Sequence, residues 1–279
     1  MRKAFCIVAF LGMALGAGAQ LRTYSQLDLL PSKPCDRVKY RINYDMTFVT
    51  DTTQHPYEPQ TEPMVLEIGE HSTKFYSYDK LRADSTNREK MNRGEQNLVP
   101  GGQITWVLHK DYPRKGQYAL LDELGLDRYV CMTKADEPKW SLVPDITAEI
   151  MVYPCRLAVE EYKGRAWSAW YTDDVPLSYG PWKLMGLPGL VLRAYDAERH
   201  YVFEASGLRQ YGDGEGYEMD YRGDDYEELD AKTLAKQYER YHADPVGYVS
   251  NNPNVKVTIL DEHGNPTTMP ALPYNPIER

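Results

Sequence analysis

The sequence has few of the residues and spacings on which enzyme active sites are usually built. Its 279 residues include 6 histidines and 4 cysteines, and the histidines are scattered without an i,i+4 pair or an H-E-x-x-H motif. It also lacks a glycine-rich phosphate loop, a serine nucleophile elbow and the ligand spacing of a zinc site. We therefore predict no catalytic residue set, no bound metal and no cofactor.

Positive charge and long apolar runs are also scarce. The chain has 32 lysines and arginines against 41 aspartates and glutamates, which makes a formal net charge of −9 without any basic stripe. Nucleic acid is not an expected partner, because phosphate binding needs a basic surface. Beyond the N-terminal segment, no apolar stretch is long enough to cross a bilayer as a helix, so we predict no transmembrane segment in the mature chain.

The first 19 residues have the pattern of a secretory signal peptide. Arg2 and Lys3 precede an apolar stretch, residues 4–16, that is too short to span a membrane, and the small residues at 17–19 fit the cleavage rule. The sequence thus predicts a mature chain, residues 20–279, that is exported to the periplasm or the cell surface. We expect those residues to form a single domain, because they contain neither an internal repeat nor a low-complexity linker.

Three cysteines remain in the predicted mature chain, namely Cys35, Cys131 and Cys155. An oxidising compartment allows one disulfide with one thiol left over. The sequence does not select the pair, although Cys35 with Cys155 is the pairing that we prefer. No thiol stands near a histidine or within a nucleophile motif, so a catalytic cysteine is not expected.

Most of the chain has the pattern of short β-strands separated by turns. Residues 38–46 alternate between apolar and polar side chains, which puts Val38, Ile42 and Tyr44 on one buried face. Tyrosine, with 23 residues against 5 phenylalanines, suits sheet faces where the ring packs and the hydroxyl stays hydrated. The pattern predicts a mainly β fold, a curved antiparallel sheet or half-barrel, with one or two helices.

Two segments are candidates for those helices. Residues 227–242 combine an apolar stripe with acidic residues at the start, where the helix dipole favours negative charge. Residues 79–93 are polar and predict either a short helix or a mobile excursion. Near the C-terminus, residues 255–261 are consistent with a short hairpin.

The most distinctive segment, residues 164–196, reads GRAWSAWYTDDVPLSYGPWKLMGLPGLVLRAYD. Within it, residues 187–190 have the chemistry of a type II turn, with Pro188 in the second position and Gly189 in the third, where φ is positive. Gly186 gives the backbone further freedom. Gly180 and Pro181 begin the same turn-rich stretch.

Aromatic side chains on both faces of the strand at 166–171 leave two interpretations of this segment. It is either an apolar plug that closes a core or the wall of a ligand groove. In the second interpretation, the residues that line or close the groove are Trp167, Trp170, Tyr171, Trp182, Leu184, Leu187 and Leu190.

The stretch GPWKLMGLPGLV, residues 180–191, resembles the signature of the GLPGLI family. Residues 74–79 (KFYSYD) are similar to an early F-x-S strand of that family, Cys155 stands where a cysteine is usual, and residues 275–278 resemble its N-P-I-E ending. The resemblance implies an exported protein of a diderm bacterium with no established activity. The strand pattern is also similar to that of periplasmic lipoprotein-carrier half-barrels, which is an analogy of fold alone.

These observations favour a non-enzymatic binding or accessory protein of the cell envelope. Its expected ligand is apolar or amphipathic, such as a lipid or a peptide, held near residues 167–190. One alternative is an envelope hydrolase that uses Asp173 or Asp174, although a turn or capping role suits these two acids better. The other alternative is a structural subunit that docks on an outer-membrane protein complex through an exposed strand edge.

Overall fold

A computed structural model of the chain describes residues 32–95, 97–251, 258–260 and 265–279. The predicted signal peptide, residues 1–19, lies outside these residues, as does most of the hairpin predicted at 255–261. Of that hairpin the structure describes residues 258–260, of which Ile259–Leu260 pairs with Pro266–Thr267 as a two-stranded ladder.

The fold is mainly β, as predicted. The strands are β1 Lys33–Arg37, β2 Tyr40–Phe48, β3 Gln60–Ile68, β4 Thr73–Ser77, β5 Val107–Lys110, β6 Gln117–Leu124, β7 Asp127–Lys134, β8 Ser141–Ile150, β9 Tyr153–Tyr162, β10 Arg165–Thr172, β11 Leu190–Asp196, β12 Tyr201–Gln210, β13 Glu218–Tyr221, β14 Glu227–Leu229, β15 Ile259–Leu260 and β16 Pro266–Thr267. The helices are α1 Tyr78–Asn92, α2 Ala231–Ala243 and α3 Pro245–Ser250.

Twelve of the strands form one large sheet in the order β14-β7-β6-β5-β4-β3-β2-β12-β11-β10-β9-β8. The sheet is not closed into a barrel, because β14 and β8 stand at its two ends. Strands β1 and β13 form a separate antiparallel pair. The described residues contain three helices, where the sequence predicted one or two.

The alternation predicted for β2 is confirmed. Ile42, Tyr44 and Met46 are fully buried, whereas Asn43 and Asp45 between them are exposed. Such a strand has one face on the core and the other in water, which is the usual arrangement in an antiparallel sheet. The tyrosine hydroxyl is satisfied inside the core, since Tyr44 Oη donates to the carbonyl oxygen of Val191 at 2.7 Å.

The C-terminal helix begins later than its sequence pattern indicated. Residues 227–229 form strand β14, which pairs parallel to β7, and α2 starts after Asp230. The Asp230 carboxylate accepts the backbone N–H of Thr233 at 2.9 Å, a standard N-cap. The acidic residues at 227 and 228 thus belong to a sheet edge rather than to the first helical turn.

Three hydrophobic clusters lie in the described chain. The largest is shared by β2, β3, β4, β10, β11, β12 and the stretch 182–192. A second joins β6 and β7 to α2 and α3, and a third lies beneath β1 and β13. Among the described residues, no helix combines the length and the apolar character needed to cross a membrane.

The cysteines fall into these three different clusters. Cys155 lies in the largest cluster, Cys131 in the second, and Cys35 packs against the third. All three are free thiols, so the expected bridge between Cys35 and Cys155 is not formed. The two cysteines do not pair because each packs into a separate part of the interior.

Candidate functional site

The residues predicted to wall a groove lie mostly in the largest hydrophobic cluster. Trp170 is half-buried, and the other six are at most 4% exposed: Trp167, Tyr171, Trp182, Leu184, Leu187 and Leu190. The segment therefore packs as an apolar plug, the first of the two interpretations. Trp182 is the one member of the set that also lines a cavity.

The turn chemistry of this segment differs from the predicted type II turn. Positive φ occurs at Gly186 (φ 92) and at Trp182 (φ 56), and Gly189 is not in the left-handed region. Gly189 is required for space instead, because a Cβ there would stand 1.9 Å from the carbonyl oxygen of Thr172. A Cβ at Gly180 would likewise meet the carbonyl oxygen of Leu184 at 2.1 Å. The two glycines thus allow the plug to pack closely on neighbouring backbone.

Trp182 and Lys183 hold the C-terminal segment against the sheet. Trp182 Nε1 donates to Glu278 Oε1 at 3.1 Å, and Lys183 Nζ lies 2.6 Å from the same oxygen. The lysine is nearly buried, so its charge needs this partner. The left-handed backbone of Trp182 is uncommon for a bulky residue and aims the indole at this contact.

A cavity of about 310 Å³ lies beside this contact. One wall is the sheet, at the ends of β2, β6 and β7. The facing walls are α1, α2 and residues 273–278 of the C-terminal segment. Its volume falls within the range of about 300–1,000 Å³ that is typical of small-molecule sites. At one end Tyr274 is 39% exposed, so that end of the cavity meets solvent.

Aromatic rings supply much of the cavity surface. Trp106 and Trp182 meet edge to face, with ring centroids 4.6 Å apart. On the opposite wall Tyr238 of α2 stacks on Tyr274 at 5.9 Å, and the His242 ring lies 4.4 Å from Tyr274. Paired rings of this kind hold each other in place and present both π faces and edges to a ligand.

The polar centre of the cavity is Asp122, on β6. It is only 2% exposed, and its carboxylate accepts hydrogen bonds from the Thr105 and Tyr238 hydroxyls and from the backbone N–H of Glu123 at 2.8 Å. Burial raises the pKa of Asp122 to about 6, against the opposing effect of these hydrogen bonds. A buried carboxyl with a shifted pKa inside a cavity is a frequent mark of a functional site.

The other acids of the cavity wall have cationic partners. Lys80 Nζ lies 3.3 Å from Asp84 and 3.1 Å from Glu123. Burial by itself would raise the pKa of Glu123, but Lys80 and Arg128 outweigh it and lower that pKa below its usual value. These charges therefore form a paired network at the α1 side of the cavity.

Asp173 and Asp174 lie away from this cavity. Both are exposed, and Asp173 forms an ion pair with Arg156 on the neighbouring strand β9. The backbone N–H of Asp174 donates to Thr172 Oγ1 at 3.3 Å, which is a turn contact. The arrangement suits the turn role that the sequence favoured.

One cluster has side chains of the metal-ligand type. Potential ligand atoms of Asp196, Glu198 and His200 all lie within 4.8 Å of one another. Two arginines already occupy it, because Arg165 pairs with Asp196 at 2.7 Å and Arg279 pairs with Glu198 at 2.9 Å. The cluster is therefore an ion-pair network that fastens the C-terminal residue rather than an open cation site.

The cysteines have the properties of structural thiols. Burial is the main cause that raises the pKa of Cys35 to about 12 and that of Cys155 to about 11, and it also raises the pKa of Cys131. Thiolate is the reactive form, so these environments suppress reactivity.

Sequence reasoning did not identify the cavity residues apart from Trp182. Tyr238 lies within the helix predicted at residues 227–242, and residues 275–278 entered only through the family resemblance. The available signal for Asp122 was its position as a charged residue directly after the apolar run Ala119-Leu120-Leu121. Nothing in the local sequence places Trp106 next to Trp182.

Comparison with known proteins gives a partial family match and a weak structural likeness. No curated protein matches the chain. Two crystal structures of PNGF-II, in the P21 and C2 space groups, are similar at 17% and 18% identity with TM-scores of 0.48 and 0.47. The matches cover 74% of this chain but only 34% and 33% of those chains, so this chain spans about a third of their length. Residues 140–193, from the start of β8 to within β11, match the model of a family described as a protein of unknown function, Porph_ging.

Proposed function

We propose that this protein is a non-enzymatic binding protein of the cell envelope that holds a small amphipathic ligand in the cavity between α2 and the sheet. Export to the periplasm or cell surface is part of the proposal and rests on the N-terminal sequence pattern. Membership of the GLPGLI family is also part of it and rests on residues 180–191 and 275–278.

The observation that carries the proposal is the composition of the cavity wall. Trp106, Trp182, Tyr238 and Tyr274 provide apolar area, and buried polar groups, among them Asp122, provide orientation. A concave surface that combines apolar area with fixed polar groups is the general form of small-molecule sites. The solvent-exposed Tyr274 gives a ligand a place to enter.

The test uses the neutral apolar dye N-phenyl-1-naphthylamine with the full mature chain. We expect its fluorescence to rise on binding and the rise to be reduced in Ala235→Trp, which places a bulky ring at the exposed α2 rim of the cavity. Ala243→Trp is the matched control, because Ala243 is exposed on the same helix and does not line the cavity. Equal dye binding by both variants would show that the dye does not bind in the cavity.

Native mass spectrometry of the protein purified from its own envelope complements the dye. A discrete small molecule released on denaturation supports the proposal, provided that the Ala235→Trp variant carries less of it. A protein that comes away without any bound molecule and also fails to bind the dye would refute the proposed function.

One observation favours a second candidate, a structural subunit that docks on an outer-membrane complex. Strand β8 is an end of the large sheet, and Leu142 and Ile146 on it are 54% and 44% exposed, with Val152 just beyond at 77%. A sheet edge with exposed apolar residues is a ready template for an added strand. A photo-crosslinker at Leu142 should then capture one defined outer-membrane protein, and the same group at exposed Asp45 should not.

A further inference from the structure

Asp122 is a buried carboxylate without a cationic partner. Among the residues that the structure describes, no lysine, arginine or histidine forms an ion pair with it, and its hydrogen-bond donors are two hydroxyls and one backbone N–H. Buried charges in proteins are normally paired, because taking a lone carboxylate out of water is costly. This carboxylate therefore has an unmet requirement for positive charge.

The carboxylate also has room for one more donor. Its Oδ1 atom accepts from Thr105 and from the backbone N–H of Glu123, whereas its Oδ2 atom accepts only from Tyr238. A carboxylate oxygen can accept two hydrogen bonds, so Oδ2 has one lone pair left. Because Asp122 lines the cavity, a group inside the cavity is suitably placed to use it.

The neighbouring charges do not meet that requirement. Lys80 is engaged by Asp84 and Glu123, and Lys183 is engaged by Glu278. Arg128 also lies beside Glu123, at 4.0 Å, so three cations are matched with three acids. Asp122 adds a fourth negative group when it is ionised. The cavity consequently has an excess of negative charge.

The aromatic wall favours the same kind of ligand. The faces of Trp and Tyr rings attract cations, and desolvated sites strengthen the attraction to about 2 kcal/mol or more. Trp182 already receives one cation, since Lys183 Nζ lies 5.2 Å from its ring centroid. Trp106 and Tyr238 line the same cavity and have no such cation over their rings among the contacts of the described residues.

We infer that the cavity takes a small organic cation, with an ammonium group that pairs with Asp122 and an apolar body that contacts Trp106 and Trp182. The inference rests on the proposed function and names its ligand class. A free amine and the ammonium headgroup of a lipid share this chemistry.

The experiment compares phenethylammonium with its neutral counterpart phenethyl alcohol and its anionic counterpart phenylacetate, by calorimetry on the mature chain at about pH 7. We expect phenethylammonium to bind at least about tenfold more tightly than the alcohol and phenylacetate to bind most weakly. Dodecylammonium below its micelle concentration forms a second arm, because it has the same N–H donors on a lipid-length chain, and a preference for it over phenethylammonium would indicate a lipid-derived ligand.

The variant Asp122→Asn removes the charge and keeps the shape of the side chain. We expect it to bind phenethyl alcohol as the wild type does and to lose the preference for phenethylammonium. Asp45→Asn is the matched control, because it removes one negative charge from an exposed position outside the cavity and should keep the preference.

The outcomes separate the inference from the function beneath it. Equal affinity for the ammonium and the alcohol in the wild type would overturn the inference and leave the amphipathic site standing. If neither compound binds, the inference and the proposed function are both overturned. A preference that survives Asp122→Asn would overturn the assignment to Asp122. The wild-type comparison stands by itself if the variant does not fold.

Discussion

Arg165 and Asp196 form a buried ion pair in which the Nη1 and Oδ2 atoms are 2.7 Å apart and each side chain is 1% exposed. Three further hydrogen bonds of the same guanidinium go to the C-terminal segment. Its Nε donates to the carbonyl oxygen of Ile277 at 3.0 Å, and its Nη2 donates to Asn275 Oδ1 at 2.8 Å and to the carbonyl oxygen of Pro276. One planar side chain thus joins β10, β11 and the end of the chain, which is the geometry for which arginine is suited.

Removing this guanidinium should destabilise the whole fold. We expect Arg165→Ala to lower the free energy of unfolding by about 3–5 kcal/mol, because Asp196 would be left as an unpaired buried charge. Urea denaturation followed by tryptophan fluorescence measures the change. The control is Arg156→Ala, which breaks the exposed pair with Asp173 and should cost no more than about 1 kcal/mol. Equal effects of the two substitutions would contradict the structural role of Arg165.

Gly189 should not tolerate a side chain. A Cβ at this position would overlap the carbonyl oxygen of Thr172 at 1.9 Å, so Gly189→Ala should destabilise by at least about 1–3 kcal/mol through forced backbone movement. Gly212→Ala is the comparison, since its nearest contact is the flexible Glu215 side chain at 3.3 Å, and its effect should stay within about 0.5 kcal/mol. Thermal unfolding of both variants measures the two changes in stability. A Gly189→Ala protein as stable as the wild type would contradict the close packing of Gly189 on Thr172.

The stability of the protein should depend on pH through Asp122. Its pKa is raised from 3.8 to about 6 in the folded state, so the native protein holds this proton more tightly than the unfolded chain does. The associated stabilisation is complete below the unfolded pKa and is lost as the pH rises through about 6. Asp122→Asn should therefore gain stability relative to the wild type between about pH 4 and pH 8, by about 3 kcal/mol at most.

Urea unfolding of the two proteins across that pH range tests this expectation. Glu123 and Tyr238 face the same carboxylate, but both remain in the variant, and Tyr238 has a pKa raised well above its usual value. The difference between the two curves thus isolates Asp122. A difference that is flat with pH would contradict a buried, ionisable Asp122.

Residues 20–279 should contain three free thiols. Titration with a thiol reagent in denaturant, without reductant, should count all three of Cys35, Cys131 and Cys155. In the native state the reaction should be slow, because burial raises the pKa of each thiol. A count of one would mean that a disulfide forms in the protein.

Much of the β architecture follows from local sequence pattern. The alternation at residues 38–46 and the strand expected at 166–171 correspond to β2 and to β10, which pairs with its sequence neighbour β9 as a hairpin. Hairpins of this kind can be predicted from sequence because the two strands are neighbours in the chain and each shows apolar and polar side chains with a period of two. The pair of β1 with β13 was not predicted, because the partners are short and lie far apart in the chain.

The candidate site, in contrast, was mostly not predicted from the sequence. The sequence correctly marked residues 164–196 as exceptional, but all seven residues chosen from it pack into or against the core, and of these only Trp182 also lines the cavity. Aromatic side chains on both faces of a strand do not reveal which face meets solvent. That choice depends on which distant elements cover the strand.

By itself, the sequence determined most of the strands of the sheet, because side-chain periodicity and turn residues act within a few positions of the chain. Only the tertiary structure decided the site. Tyr238 meets Asp122 from 116 residues away, and the segment at 273–278 closes the cavity through contacts with Arg165, Trp182 and Lys183. A buried carboxylate acquires its shifted pKa and its lack of a cation only when such distant elements pack together, since local sequence does not specify burial or partners across the fold.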